Sequence, residues 1–205
     1  MVIAGVVLEK KDEKKLKLLG VKDSKKLSPK RREELAKKIE EIAKDIIVMR
    51  VQPCKIDRYR EEGMNLDKIE AMKMAQIIDM TEGKVYVDSL EQNTKRFKEL
   101  IVSFLRNKNR DLVVENYLDE SIPVVSAASI IAKVERDKTI EDIKRQVSFD
   151  FGVGYSHDKR TIEFVKKLIN EKKSLEPYVR KTWITTKLLQ EAMAQKKVKD
   201  FITKK

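Results

Sequence analysis

The sequence predicts an α/β architecture with at least partly parallel strands. Short apolar, β-branched runs alternate with longer segments of helical periodicity. Six glycines and four prolines punctuate 205 residues, with no repeat, low-complexity linker or Pro/Gly/Ser-rich break. A regular alternation of strand and helix is what builds a parallel sheet covered by helices.

Val2–Leu8 is β-branched and apolar and is expected to be a buried strand. Ser28-Pro29 is a helix start, with Ser as N-cap and Pro at the first helical position. That helix runs to about Lys44 and sets Leu35, Ile39 and Ile42 on one face. Ile46–Val51 is a strand. Asn65 caps a further helix with Ile69, Met72, Ala75 and Ile78, or residues near them, inward. Lys84–Asp88 is a strand ending in a carboxylate, Thr94–Leu105 a helix and Leu112–Val114 a short strand. Pro123 to Val147 reads as one long helix that opens on small and apolar residues. Thr161–Asn170 and Trp183–Lys196 complete the set.

Composition narrows the function classes. One cysteine, Cys54, excludes an internal disulfide framework and a cysteine-only zinc site. One histidine, His157, excludes a polyhistidine metal centre. No apolar run approaches the ~20 residues of a membrane span. The opening Met1–Leu8 lacks a basic region before it, which suits a strand better than a signal peptide. A soluble chain in a reducing, cytoplasmic setting is the default expectation.

Charge points to a partner. The chain carries 46 Lys/Arg against 34 Asp/Glu, a formal net charge of +12. Residues 10–44 hold 14 Lys/Arg and 7 Asp/Glu, and residues 193–205 hold five Lys and one Asp. Lys- and Glu-rich surfaces also accompany heat stability. That does not explain the excess of one sign, which favours nucleic acid or another phosphate-rich partner.

Ligands of open α/β sheets bind at the carboxyl ends of strands. Asp88, directly after Val85-Tyr86-Val87, is therefore the first candidate, and Asp119, just ahead of the long helix, is the second. Either could instead cap a helix, since an anion near a helix N-terminus is favoured. Together they are two hard oxygen donors from separate elements. Magnesium takes a few such ligands and completes its shell with water and substrate phosphate. Gly20–Ser28 joins a glycine turn to hydroxyl and ammonium groups, and is by itself a weak phosphate-binding candidate. Gly152–Asp158 is a turn carrying one aromatic ring, Tyr155, suited to a sugar, a base or the core. Arg180-Lys-Thr-Trp183 sets cations beside the single tryptophan, for which packing is the default.

Taken in order, these strings resemble ribonuclease HII, the archaeal branch best. The matching stretches are Met1–Val7, Gly20–Ser28, Val85–Ser89, Pro123–Asp137, Asp150–Tyr155 and Arg180–Trp183, nearly the whole chain. The resemblance implies a ribonuclease H-like mixed sheet flanked by helices, with a helical C-terminal extension. It divides the chain into a catalytic part, 1–150, and a substrate-binding part, 151–205. It implies an endonuclease that cleaves the RNA strand of RNA–DNA hybrids, and duplex DNA at single embedded ribonucleotides, by two-metal-ion hydrolysis with Mg2+ or Mn2+. By position, Asp88 resembles the family's third active-site carboxylate and Asp119 the fourth, both metal ligands. Tyr155 resembles the tyrosine that packs on the sugar at the RNA–DNA junction. Ser24 and Lys25 resemble residues near the substrate backbone. The expected partner is a nucleic-acid duplex, with no membrane, and the chain is expected to be a monomer.

Three departures accompany the resemblance. The family opens with a strand and an Asp-Glu-Ala-Gly-Arg-Gly motif that supplies two metal-binding carboxylates and reads the 2′-hydroxyl. Here no Asp or Glu precedes Glu9. A misplaced start or a truncation is expected to account for this, with a non-cutting nucleic-acid-binding relative as the alternative. The family's His-Lys-Ala-Asp reads Asn116-Tyr117-Leu118-Asp119 here, and Lys159 stands where a proline is common.

Overall fold

The computed structural model describes residues 1–21 and 27–202, with residues 196–202 as backbone only. The elements are β1 (Val2–Val7), a 3-10 turn (Lys10–Asp12), α1 (Glu13–Leu18), α2 (Pro29–Ile42), β2 (Asp45–Arg50) and α3 (Pro53–Glu61). They continue with α4 (Leu66–Ile78), β3 (Val85–Asp88), α5 (Thr94–Phe104), β4 (Leu112–Glu115) and α6 (Leu118–Ser121). The last are α7 (Pro123–Val147), α8 (Lys159–Asn170) and α9 (Ile184–Ile202).

Every strand and long helix expected from the sequence forms. The caps form for the expected reason: short polar side chains accept otherwise orphaned N–H groups. Ser28 Oγ accepts from Arg31 at 3.3 Å and Asn65 Oδ1 from Lys68 at 2.9 Å. Three helices lie outside the expectation, namely α1, α3 and α6. The first and last are too short, at six and four residues, to show a helical period. In α3 a single apolar core position, Ile56, sits in a charged run, so the amphipathic signal is faint.

Both senses of strand pairing occur. β1 pairs antiparallel with β2, from Val2 opposite Arg50 to Val7 opposite Asp45. β3 pairs parallel with β4, from Val85 beside Leu112 to Asp88 beside Glu115, with α5 as the intervening helix. These pairs form two two-stranded sheets among the described residues.

The chain forms two compact units, Met1–Arg50 with Met64–Arg136, and Val51–Gly63 with Asp137–Lys205. The first has two apolar clusters. One gathers Leu16, Leu35, Ile39 and Ile130 against β1 and β2. The other gathers Ala71, Ala75, Phe97 and Ile101 against β3 and β4. Phe97 and Ile101 are fully buried, and each such side chain contributes roughly 1.5–3 kcal/mol by leaving water. Close approach of α4 to β1 requires Gly5: a Cβ there would lie 2.6 Å from Ile77 Cγ2. In the second unit α8 turns Phe164, Val165 and Leu168 inward. Phe164 stacks between Phe149 and Phe151, at centroid distances of 5.4 and 5.1 Å.

Candidate active site

The parallel β3–β4 pair ends on charge. Along β3 the side chains alternate, with Val87 buried and Tyr86 exposed, and Asp88 emerges half-buried at the carboxyl end. The loops after the two strands are sewn together. Ser89 N–H donates to Glu115 O at 2.8 Å. The Asn116 side-chain amide donates to Ser89 O at 3.2 Å and Glu91 O at 2.9 Å. Tyr117, left-handed at φ 60°, then turns the chain into α6. Asn is one of the few residue types that ties two backbone segments this way while remaining neutral.

Asp88 Oδ1 accepts the Leu118 N–H at 2.9 Å, so the carboxylate faces the start of α6. The next residue is Asp119, which is 3% exposed. Its carbonyl accepts the hydroxyl of Ser126, itself buried in α7. Asp88 and Asp119 are thus one hydrogen bond and one residue apart along a connected path, at the carboxyl end of the parallel pair. Glu115, in register beside Asp88 and exposed, is a further acid on that edge. Sequence reading passed over Glu115 and Asn116.

The donor set is two hard carboxylates, which suits Mg2+ or Mn2+ and suits soft, thiol-seeking metals poorly. Two such side chains would furnish part of a shell of about six, with the rest left to water and phosphate. Among the described residues no group of three or more His, Cys, Asp and Glu side chains is assembled to hold a metal.

Tyr155 belongs to the second unit. Its turn is built on two left-handed glycines, Gly152 at φ 77° and Gly154 at φ 72°. Asp158 caps α8 through Arg160 N–H at 2.8 Å and reaches back to Val153 N–H at 2.8 Å. Asp150 accepts from Gly152 N–H at 3.1 Å and from the Arg160 guanidinium at 2.6 Å. The Val153 amide holds the Asp158 carboxyl below its usual range, and the Gly152 amide does the same for Asp150, with Lys144 adding to it. The tyrosine ring is 49% exposed and stacks on His157, with centroids 5.5 Å apart and planes 11° apart. Trp183 packs against the third apolar cluster, as expected. Ser24 and Lys25 lie outside the described residues.

Acidic strand ends on a parallel pair, helices on the flanks and a helical C-terminal segment define a ribonuclease H-like protein. The fold agrees with a crystal structure of ribonuclease H2 from Pyrococcus horikoshii OT3, at TM-score 0.81 and 33% identity, covering 94% of this chain and 98% of that one. It also agrees with the ribonuclease HII of Archaeoglobus fulgidus, solved as a complex with PCNA, at TM-score 0.78 and 38% identity over 88% of this chain and 84% of that one. The ribonuclease HII family profile matches residues 1–186. Ribonuclease HII of Methanococcus maripaludis strain C6 is 40% identical over 203 residues, 97% of this chain and 84% of that protein. The chain belongs to the ribonuclease HII family, whose members are hydrolytic endonucleases acting on the RNA strand of RNA–DNA hybrids. No helix of the described residues is long and apolar enough to cross a membrane.

Proposed function

We propose that this protein cleaves RNA–DNA hybrids, and duplex DNA at single ribonucleotides, with Asp88 and Asp119 holding Mg2+ or Mn2+ beside the scissile phosphate. The observation that supports the reading is the Asp88–Leu118 hydrogen bond, which ties the end of β3 to the residue before Asp119. Two divalent ions, when bound, orient the attacking water and stabilise the leaving 3′-oxygen. Asp88 keeps one oxygen on the Leu118 amide, which fixes the direction of the other. Burial of Asp119 raises the worth of a cation beside its carboxylate. Tyr155 packs on the sugar at the RNA–DNA junction, and Ser24 and Lys25 lie near the substrate backbone. Residues 1–150 carry the chemistry and 151–205 carry duplex binding. The net charge of +12 draws the phosphate backbone in.

The test is cleavage of a labelled DNA duplex holding one ribonucleotide, in Mg2+ or Mn2+. Cuts on the 5′ side of the ribonucleotide that disappear in Asp88→Asn support the reading. Because the described residues gather no group of three or more metal-ligating side chains, a second reading is a relative that binds such duplexes without cutting them. Tight binding with no product in either metal favours that one.

A further inference from the structure

The Arg180-Lys-Thr-Trp183 segment is left unused by the site above, and it is held by an unusual tether. Asp57, on α3, is 3% exposed. Its carboxylate accepts the Lys181 N–H at 2.7 Å, the Thr182 N–H at 3.1 Å and the Thr182 hydroxyl at 2.5 Å. All these groups lie in the second compact unit. Two successive amides and a hydroxyl thus converge on one buried anion, immediately before α9. Such charge-assisted bonds fix the main chain of the turn more firmly than neutral ones would.

What the turn presents is cationic. The Arg180 guanidinium carbon lies over the Trp183 ring, 5.7 Å from its centre, a cation–π contact. The Lys181 ammonium pairs with Glu176 at 2.6 Å, and both side chains are about half exposed, at 49% and 46%. An exposed pair of this kind is weak and screened by salt. Arg58, the residue after Asp57, adds a further exposed cation on α3, while Glu61 is the nearby acid. The tether therefore joins two basic segments that are remote in sequence.

We propose that Asp57 is a positioning residue that fixes the Arg180–Trp183 turn so that Arg180 and Lys181 meet the phosphodiester backbone of a nucleic-acid duplex. The proposal rests on the nuclease reading for its ligand class and adds a contact that the carboxylate site does not include.

The experiment is fluorescence anisotropy of a labelled RNA–DNA duplex against the 205-residue chain at several salt concentrations. Asp57→Ala is expected to weaken binding about tenfold and to make the log K against log salt slope shallower by about 1–2. The pair Arg180→Ala/Lys181→Ala should lose the same slope, and Asp57→Ala should add nothing in that background. Thr182→Val, which removes one donor, and Asp57→Asn, which keeps one oxygen, should give smaller losses in the same direction. They carry the test if circular dichroism shows Asp57→Ala unfolded. Unchanged affinity and slope in Asp57→Asn and Thr182→Val, or a full Asp57 effect without Arg180 and Lys181, overturns this proposal alone. Failure of the unaltered chain to bind the duplex overturns the nuclease reading and this contact with it.

Discussion

The Asp88 carboxylate and the Leu118 amide meet at 2.9 Å, and that single bond joins the end of β3 to the start of α6. It gives Asp88 the first of the two roles weighed for it, a contact at a helix start, and leaves its second oxygen for the proposed one. One oxygen accepts the first amide of α6, and the side chain remains half-buried at a strand end. Under the proposed function, one carboxylate would serve as both cap and metal ligand.

Asp88→Asn separates the two roles. An Asn oxygen still accepts the Leu118 N–H, so the melting temperature should stay close to that of the unaltered protein. The negative charge is gone, and cleavage should fall by at least about 100-fold, the loss seen when mere supporting partners of metal ligands are removed. Duplex binding should persist. Asp88→Ala, by contrast, leaves a buried amide without its acceptor, at a cost of about 1–3 kcal/mol. Gel assays of cleavage alongside thermal melts distinguish these outcomes.

Tyr155→Ala should reduce cleavage at a lone ribonucleotide by about tenfold, from the ~1–3 kcal/mol that an aromatic stacking contact contributes. Tyr155→Phe keeps the ring and should retain most of the rate. Kinetics on a duplex with one ribonucleotide, compared with a long RNA–DNA hybrid, check the assignment. Equal rates for all three proteins would return the ring to packing alone.

Gly152→Ala should destabilise the second unit. At φ 77° a side chain is strained, and its Cβ would lie 2.4 Å from Asp158 Oδ2. Strain of this kind costs about 1–3 kcal/mol. A melt of the variant should show a fall of about 2–4 °C for each kcal/mol.

Acid should loosen the same turn. Asp150 and Asp158 have carboxyl groups held below their usual range, chiefly by the Gly152 and Val153 amides. A depressed folded-state value means the stabilisation is complete above the unfolded value, near pH 4. It is lost as pH falls further, through the depressed values. Between about pH 5 and pH 2 the unaltered protein should therefore lose more stability than Asp158→Asn, as thermal melts across that range would show.

Long elements were legible because their signals are local. The Ser28-Pro29 and Asn65 starts identified α2 and α4, and the β-branched run ahead of Asp88 identified β3 and its terminal acid. The links between elements were not legible. Nothing in the string indicates that Asn116 bridges Ser89 and Glu91, or that Asp57 receives Lys181 and Thr182, because each bond depends on tertiary placement. The same holds for α3, whose face is defined by what it packs on more than by its own periodicity.

The separation of 124 residues between Asp57 and Lys181 has a consequence for biosynthesis. A ribosome that has just delivered Asp57 must translate most of the remaining protein before the donors for that carboxylate exist. Until then water solvates the anion, and the 51–63 stretch lacks its C-terminal complement. The first compact unit can consolidate early on the nascent chain, while the second waits for Lys181 and Thr182. Any message or protease that ends the chain before Lys181 leaves Asp57 with no amide to hold.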